Sequence, residues 1–149
     1  SKISAGCHTA KDGSLFHATD ILGDRWNNLI LGGALYGLRR YDDFQRGLGI
    51  STNILADRLK LLVEAGLFKR AAYQSGPKRY QYNLTAKGQD YLPVAMALHK
   101  WSERWLTQGE RGNVILSHHC EDAPVQFVFC CSACDGVLHP HDVTTGPPG

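Results

Sequence analysis

A chain of 149 residues, 43% of them apolar and 20% charged, has the size and composition of one globular domain with at most a small appendage. It contains no apolar run of about 18 residues and no secretory signal pattern, so we expect a cytoplasmic protein whose five cysteines are free thiols or metal ligands. The net charge of +2 is unevenly divided: residues 15–108 carry 13 basic and 8 acidic side chains, whereas residues 109–149 carry one basic and five acidic. A basic body of this kind favours an anionic partner.

Two helices are predicted near the N-terminus. Ser14 is a suitable N-cap for the segment "SLFHATDIL", whose apolar residues recur at helical spacing, and Gly23 ends that helix. Asp24 can cap the next helix, "RWNNLILGGALYG", in which apolar residues share one face. We interpret the second helix as a buried core element.

A short helix and a longer, well-capped helix follow. The segment "LRRYDDFQRGLG" turns Phe44 and Leu48 inward. The longer helix begins after the N-cap Ser51 and ends before Gly66, and its opposite face is small and polar near its N-terminus. Its inward stripe consists of Leu55, Leu59 and Leu62.

A β-hairpin is predicted next. The run "LFKRAAY" is short and strand-like, Gly76 and Pro77 form a turn, and every second residue from Tyr80 onward is apolar. Lys78 and Arg79 then lie near the hairpin tip, where they could bind phosphate or be merely solvated.

The last helical segment carries a broad apolar stripe. Thr85 is a plausible N-cap, and Pro93 is expected to kink the helix or to mark a restart. The stripe beyond the proline is formed by Val94, Leu98, Trp101 and Trp105. No later helix covers this stripe, so it either contacts a second chain or packs back on its own domain.

This order of elements predicts an α+β, mainly α, winged helix-turn-helix domain with a long C-terminal dimerisation helix and a small C-terminal β segment. In such a domain the capped helix enters the major groove of DNA by its N-terminal end, and the hairpin is the wing. Small polar side chains there can read base edges, and cations can contact phosphates. The candidate DNA-binding residues are Ser51, Thr52, Asn53, Asp57 and Lys60 on the capped helix, Arg39 and Arg40 before the short helix, and Lys78 and Arg79 on the wing.

The segments "LGDRWNNLIL", "RRYDDFQRGLGIS", "LADRLKLLVEAGL" and "PKRYQYNLTAKGQDYLPV" match, in order and spacing, the HxlR-type bacterial transcriptional regulators. The chain resembles this winged-helix group, which is related to the MarR regulators, over roughly residues 14–106. The resemblance implies a cytoplasmic homodimer that binds double-stranded DNA at a pseudo-palindromic operator, most often as a repressor. It also implies a dimer interface formed by the first helix and the Trp-bearing helix, with Leu15, Leu98, Trp101 and Trp105 as candidate contacts.

One position departs from the family pattern. Many members, including thiol-based sensors of quinones and aldehydes, carry a cysteine at the start of the first helix, where this chain has Gly13. Cys7 lies six residues upstream and does not align with that cysteine. Redox sensing through the usual site is therefore not expected.

The tail is predicted to form a small β appendage. The segments "NVILSHHC", "PVQFVFCCSAC" and "GVLHPHDV" are strand-like, and "CSAC" followed by "DG" resembles a zinc knuckle. Candidate ligands of a structural zinc are Cys120, Cys131, Cys134 and His118, with Cys130 as a possible substitute. The alternative is an appendage with buried thiols and no metal.

Other classes of function are disfavoured. The sequence has no Gly-rich phosphate loop and no nucleophile elbow, which argues against an enzyme. A winged helix used for protein contacts, or a thiol- or metal-responsive sensor without operator specificity, remains the alternative. An effector is possible but cannot be named. The expected organisation is an N-terminal arm (1–13), the winged-helix domain with its dimerisation helix (14–108), the β appendage (109–143) and a disordered tail (144–149).

Overall fold

The computed structural model describes residues 13–73, 79–108, 116–121, 124 and 126–144. The chain forms two compact units, one spanning Thr9–Ala95 and the other containing Met96–Gly149. Each unit is described by itself. No helix within the described residues is long and apolar enough to cross a membrane.

The first unit begins with helices α1 (Ser14–Leu22) and α2 (Arg25–Leu35). The predicted cap Asp24 is confirmed, since its side chain accepts a hydrogen bond of 3.0 Å from the backbone N–H of Asn27. The predicted cap Ser14 is wrong by one position. Gly13 is the N-cap of α1 and Ser14 is already helical, so the end of this helix has no side-chain cap.

Two neighbouring asparagines fix the turn between α1 and α2. Asn27 is buried and donates from its amide to the carbonyl of Ile21 at 2.8 Å. Asn28 donates to the carbonyls of Leu22 and Asp24 at 2.7 and 2.9 Å. Its own side-chain oxygen accepts a hydrogen bond of 2.9 Å from the hydroxyl of Tyr91. The last carbonyls of α1 are thereby satisfied by side chains rather than by water.

The helix-turn-helix is formed by α3 (Tyr41–Leu48) and α4 (Thr52–Glu64). Gly49 ends α3 in the left-handed region, at φ 63°, which a glycine adopts without strain. Ser51 is the N-cap of α4 as predicted and accepts from the N–H of Ile54 at 3.4 Å. Gly66, at φ 80°, follows the C-cap of α4, which confirms its predicted place.

The wing consists of antiparallel strands β1 (Phe68–Ala72) and β2 (Tyr80–Leu84). The register pairs Phe68 with Leu84 and Ala72 with Tyr80. The free edge of β2 is partly covered, because Tyr82 donates from its backbone to the carbonyl of Arg39 at 2.7 Å. This contact ties the wing to the connection between α2 and α3.

Helices α5 (Ala86–Gln89) and α6 (Leu92–Trp105) follow the wing. Thr85 caps α5 as predicted, and Pro93 lies in the first turn of α6, so the helix restarts rather than kinks there. Lys87 donates to the carbonyl of Ala65 at 2.7 Å. The C-terminus of α4 is therefore stabilised by a cation from the segment behind the wing.

The core lies between α2, α3, α4 and the wing. Phe68 stands edge-on to Phe44 and to Tyr82, with ring centroids 6.2 Å apart in each pair. Each fully buried leucine or isoleucine contributes roughly 1.5–3 kcal/mol. The buried apolar residues are Ile30, Leu31, Ala34, Phe44, Ile50, Leu55, Leu59, Leu62, Leu67, Phe68 and Tyr91. The predicted inward stripe of α4 is confirmed, and so is the predicted fold class.

The tail departs from its prediction. Over its described residues the expected strands reduce to two isolated bridges, Ser117 with Pro124 and Cys130 with Val137. A short 3-10 helix, Pro140–Asp142, follows. Prolines and a high density of turn residues interrupt the apolar runs, so the bridges do not extend into ladders.

Candidate nucleic-acid interface

Helix α4 presents a small polar face at its N-terminal end. Ser51, Thr52, Asn53, Asp57 and Lys60 are all exposed, whereas Leu55, Leu59 and Leu62 on the other side are buried. The hydroxyl of Tyr41 donates to the carbonyl of Thr52 at 2.7 Å and holds this end of α4 against α3. An exposed, anchored helix end with hydrogen-bonding side chains suits the major groove.

Asp57 differs from its polar neighbours because its carboxylate is paired. It lies 2.5 Å from the guanidinium of Arg58, which also contacts Asp24 at 3.0 Å. The hydrogen bond from Arg58 is the largest cause that lowers the pKa of Asp24 below its ordinary value. Arg58 therefore fixes α4 against the start of α2, and Asp57 is tied to this ion pair.

A cleft of about 490 Å³ opens between α4 and the wing. Arg70 and Lys60 give it two positive charges against the one negative charge of Glu64, and the guanidinium of Arg70 lies 4.2 Å from the ring centre of Tyr80. Burial is the largest cause that raises the pKa of Tyr82 above its ordinary value, and the nearby Arg70 acts in the opposite direction. The lining residues are Tyr41, Ala56, Lys60, Val63, Glu64, Arg70 and Tyr82. Of these residues, only Lys60 was predicted from the sequence as a functional candidate. Arg70 stands opposite Tyr82 in the register of the hairpin, and this pairing of a cation with an aromatic residue is the sequence signal for the wing side of the cleft.

The four predicted phosphate contacts fall into different settings. Arg79 is exposed next to the wing strand β2, and Lys78 lies outside the described residues. Arg40 is exposed, and its guanidinium lies 4.5 Å from the ring centre of Tyr73. Arg39 is instead half-buried and donates to two backbone carbonyls, Ala34 at 2.5 Å and Leu38 at 2.9 Å. Arg39 thus stabilises the end of α2.

Two helices carry exposed apolar side chains. None of the residues of α1 or α6, which are all described, is buried. On α1, Leu15 is 80% exposed. On α6, the exposed fractions are 50% for Leu98, 56% for Trp101 and 62% for Trp105. Side chains of this size are seldom left in water when they cluster.

The tail cysteines are not gathered into one metal cluster. Within the described residues, no group of three or more His, Cys, Asp or Glu side chains is placed to hold a metal ion. The side chain of Cys134 does hydrogen-bond to that of Cys131. The largest cause that lowers the pKa of the Cys131 thiol is the hydrogen bond from the N–H of Ala133. His118 is engaged with the backbone N–H of Cys120 at 3.4 Å. Cys7 lies outside the described residues, and Gly13 is the N-cap of α1.

Comparison with known proteins gives a consistent result. The family model for the HxlR-like helix-turn-helix matches residues 21–110. An HTH-type transcriptional regulator from Mycobacterium tuberculosis H37Rv is 35% identical over 148 residues, which is 99% of this chain and 94% of that protein. The crystal structure of PA1607, proposed to be a transcription factor, has a TM-score of 0.81 at 30% identity and covers 95% of this chain and 99% of its own. PA1374 from Pseudomonas aeruginosa, also proposed to be a transcription factor, has a TM-score of 0.64 at 37% identity, with 89% and 90% covered.

Proposed function

Because this chain belongs to the HxlR-like helix-turn-helix family of transcriptional regulators, we propose that it is a sequence-specific repressor that binds a pseudo-palindromic operator as a homodimer. We propose a cytoplasmic location, where bacterial DNA is found. The fold and the relatives argue against an enzyme. Beyond family membership, we propose which residues contact DNA, that the chain acts as a homodimer, and that binding represses transcription.

The observation that carries the proposal is the exposed polar end of α4. Asn53 can pair with the N6 and N7 edge of adenine, and Ser51 and Thr52 can meet several base edges. All three are exposed while the leucines behind them are buried, so no rearrangement of the core is needed to present them. The hydrogen bond from Tyr41 to the carbonyl of Thr52 holds the backbone that carries these side chains against α3.

Phosphate contacts flank this helix end. Arg79 on the wing and Arg40 before α3 are exposed cations that can neutralise phosphates without carrying sequence information. The positive cleft with Lys60 and Arg70 lies between helix and wing and supports the same role. Arg39 is not part of this set, because its guanidinium is occupied by backbone carbonyls.

The homodimer is supported by the exposed apolar side chains of α1 and α6. A second copy that covers Leu15, Leu98, Trp101 and Trp105 removes them from water. A two-fold dimer then places two α4 helices on half-sites about 10–10.5 base pairs apart. Repression follows where such an operator overlaps a promoter, since the bound dimer excludes the polymerase.

The proposal is tested by selecting binding sites from random duplex DNA with the purified full chain. We expect a two-fold motif with half-site centres about one helical turn apart and a preference of about 10³-fold or more over a scrambled duplex. Affinity should fall steeply between about 50 and about 200 mM salt. Repression is tested by placing the selected site across a reporter promoter, where the chain should lower transcription.

Two results would count against the proposal. A selection that yields no motif, with equal and weak binding to all duplexes, would remove sequence specificity. Absence of binding even at low salt would favour a winged helix used for protein contacts.

A further inference from the structure

The turn formed by residues 131–134 is held from both sides by backbone hydrogen bonds. The N–H of Cys131 donates to the carbonyl of Gly136 at 2.9 Å, and the N–H of Asp135 donates to the carbonyl of Cys131 at 2.8 Å. Asp135 adopts the left-handed region at φ 57°, which reverses the chain. The bridge between Cys130 and Val137 closes the base of the turn. The loop that carries the cysteines is therefore defined by its own backbone.

The two sulfur atoms of this turn lie next to each other. The N–H of Ala133 donates to Sγ of Cys131 at 3.4 Å, and the thiol and backbone N–H of Cys134 also hydrogen-bond to Cys131. Cys134 is exposed, so an ion can reach the pair from solvent.

Gly136 lies close beside the second sulfur. A side chain at that position would bring its Cβ to 3.3 Å from Sγ of Cys134. A side chain at position 136 would therefore crowd Sγ of Cys134, so the glycine lets the turn close around this sulfur. Two accessible thiols in a fixed turn constitute a site, unlike a single exposed cysteine.

The number of donors identifies the class of ion. A structural zinc ion needs four protein ligands. The described residues do not join Cys120 or His118 to the pair, because no group of three or more metal-binding side chains is present among them. The four-donor zinc site expected from the sequence therefore does not match the arrangement of these residues. Two soft sulfurs match a soft ion that two thiolates can satisfy, and Cu(I) is such an ion.

We propose that Cys131 and Cys134 bind one thiophilic ion of the Cu(I) class through two thiolates. Two S–H bonds are lost and two S–metal bonds form, the two protons pass to solvent, and no electron is transferred. The site is independent of the proposed operator binding, so failure of either proposal leaves the other standing.

The test uses the reduced full chain under anaerobic conditions, titrated with Cu(I) against a chromophoric Cu(I) chelator. We expect one Cu(I) per chain, with a thiolate-to-copper ultraviolet band. Cys131→Ser and Cys134→Ser should each abolish competition with the chelator. Cys130→Ser, adjacent in sequence, and Cys120→Ser are the matched controls and should bind as the parent does. Circular dichroism of every variant verifies that the helical fold is kept.

Two outcomes would overturn the proposal. One is loss of binding in Cys120→Ser or His118→Ala together with tetrahedral Co(II) or Zn(II) binding by the parent chain, which would assign a four-donor site instead. The other is failure of the reduced parent chain to compete with the chelator.

Discussion

The guanidinium of Arg58 lies 3.0 Å from one carboxylate oxygen of Asp24, while the other oxygen of Asp24 caps α2. The side chain of Asp24 thus caps the core helix α2 and also holds α4 through Arg58. Neither group is deeply buried, since 26% of Arg58 and 32% of Asp24 remain exposed. The ion pair is therefore expected to position α4 more than to stabilise the fold.

Replacement of Asp24 separates its two roles, and the lowered pKa of Asp24 makes the stability of the parent chain depend on pH. Asp24→Asn keeps a capping oxygen and should cost less than about 1 kcal/mol, whereas Asp24→Ala should cost about 1 kcal/mol more. Because the pKa of Asp24 is lowered in the folded state, the advantage of the parent over Asp24→Asn is present at neutral pH. It should be lost as the pH falls below about 4, through that lowered pKa.

Urea unfolding at about pH 7 and about pH 3 measures this difference. Asp90→Asn, at an exposed position after α5, is the control for a simple loss of charge. An advantage of the same size at both pH values would show that the charge of Asp24 does not contribute.

Arg39 and Arg40 are adjacent cations, and we expect their replacement to affect different properties: the stability of the fold for Arg39 and the affinity for DNA for Arg40. Arg39→Ala removes the hydrogen bonds to Ala34 and Leu38 and should lower the free energy of unfolding by about 1–2 kcal/mol. Arg40→Ala should change it by less than about 0.5 kcal/mol and should weaken DNA binding. Chemical denaturation and fluorescence anisotropy on both variants measure the two effects. Equal stability of the two variants would contradict the assigned role of Arg39.

Asn53→Ala should relax specificity at one base position by about 1–3 kcal/mol, because the variant lacks the amide that reads the base edge. The measurement is a set of affinities for operators that differ at single positions. Gln89→Ala, an exposed amide on α5, is the matched control and should leave every preference unchanged. If Asn53→Ala also leaves them unchanged, α4 does not read the groove through this residue.

Arg79→Ala should weaken binding to all duplexes alike and reduce the slope of log affinity against log salt by about one unit. The physical reason is the loss of one phosphate contact and of the counterion that it releases. Arg25→Ala removes an exposed cation that stacks on Trp26 and should leave the slope as it is. A salt slope unaffected by Arg79→Ala would exclude this wing residue from the phosphate contacts.

Trp101→Glu should dissociate the proposed homodimer, since a charge then replaces a large apolar side chain that is 56% exposed in one copy. Sedimentation equilibrium gives the mass, which should fall to that of one chain. Lys60→Ala should weaken DNA binding without changing the mass, which separates assembly from DNA contact. A parent chain that is monomeric at the concentrations at which it binds DNA would refute the dimer.

Local signals predicted most of the winged-helix unit. Asp24, Ser51 and Thr85 cap the helices that they were expected to cap, because their side chains compete for nearby N–H groups regardless of the tertiary fold. The buried leucines of α4 followed from period alone. The order of helices followed by a hairpin was itself read from these patterns, and the family resemblance then added the expected dimer and its interface.

The predictions that were wrong depend either on contacts between residues separated in sequence or on a choice between two neighbouring residues for the same role. Ser14 was preferred to Gly13 as a cap by residue type, yet the chain begins its helix one residue earlier than that preference indicates. Arg39 was predicted to contact phosphate because the sequence does not show where α2 ends. The carbonyls of Ala34 and Leu38 are available to its guanidinium only because the helix stops there. The tail strands failed because short apolar runs do not reveal whether a partner strand exists.

The hydroxyl of Tyr91, the residue just before α6, donates a hydrogen bond of 2.9 Å to the side-chain oxygen of Asn28 in the first turn of α2. Asn28 in turn donates to the carbonyls of Leu22 and Asp24, so the residue that precedes α6 is linked through two side chains to the turn between α1 and α2. Tyr91→Phe removes this hydrogen bond and keeps the buried ring. The variant therefore disconnects the residue before α6 from that turn while the core stays packed.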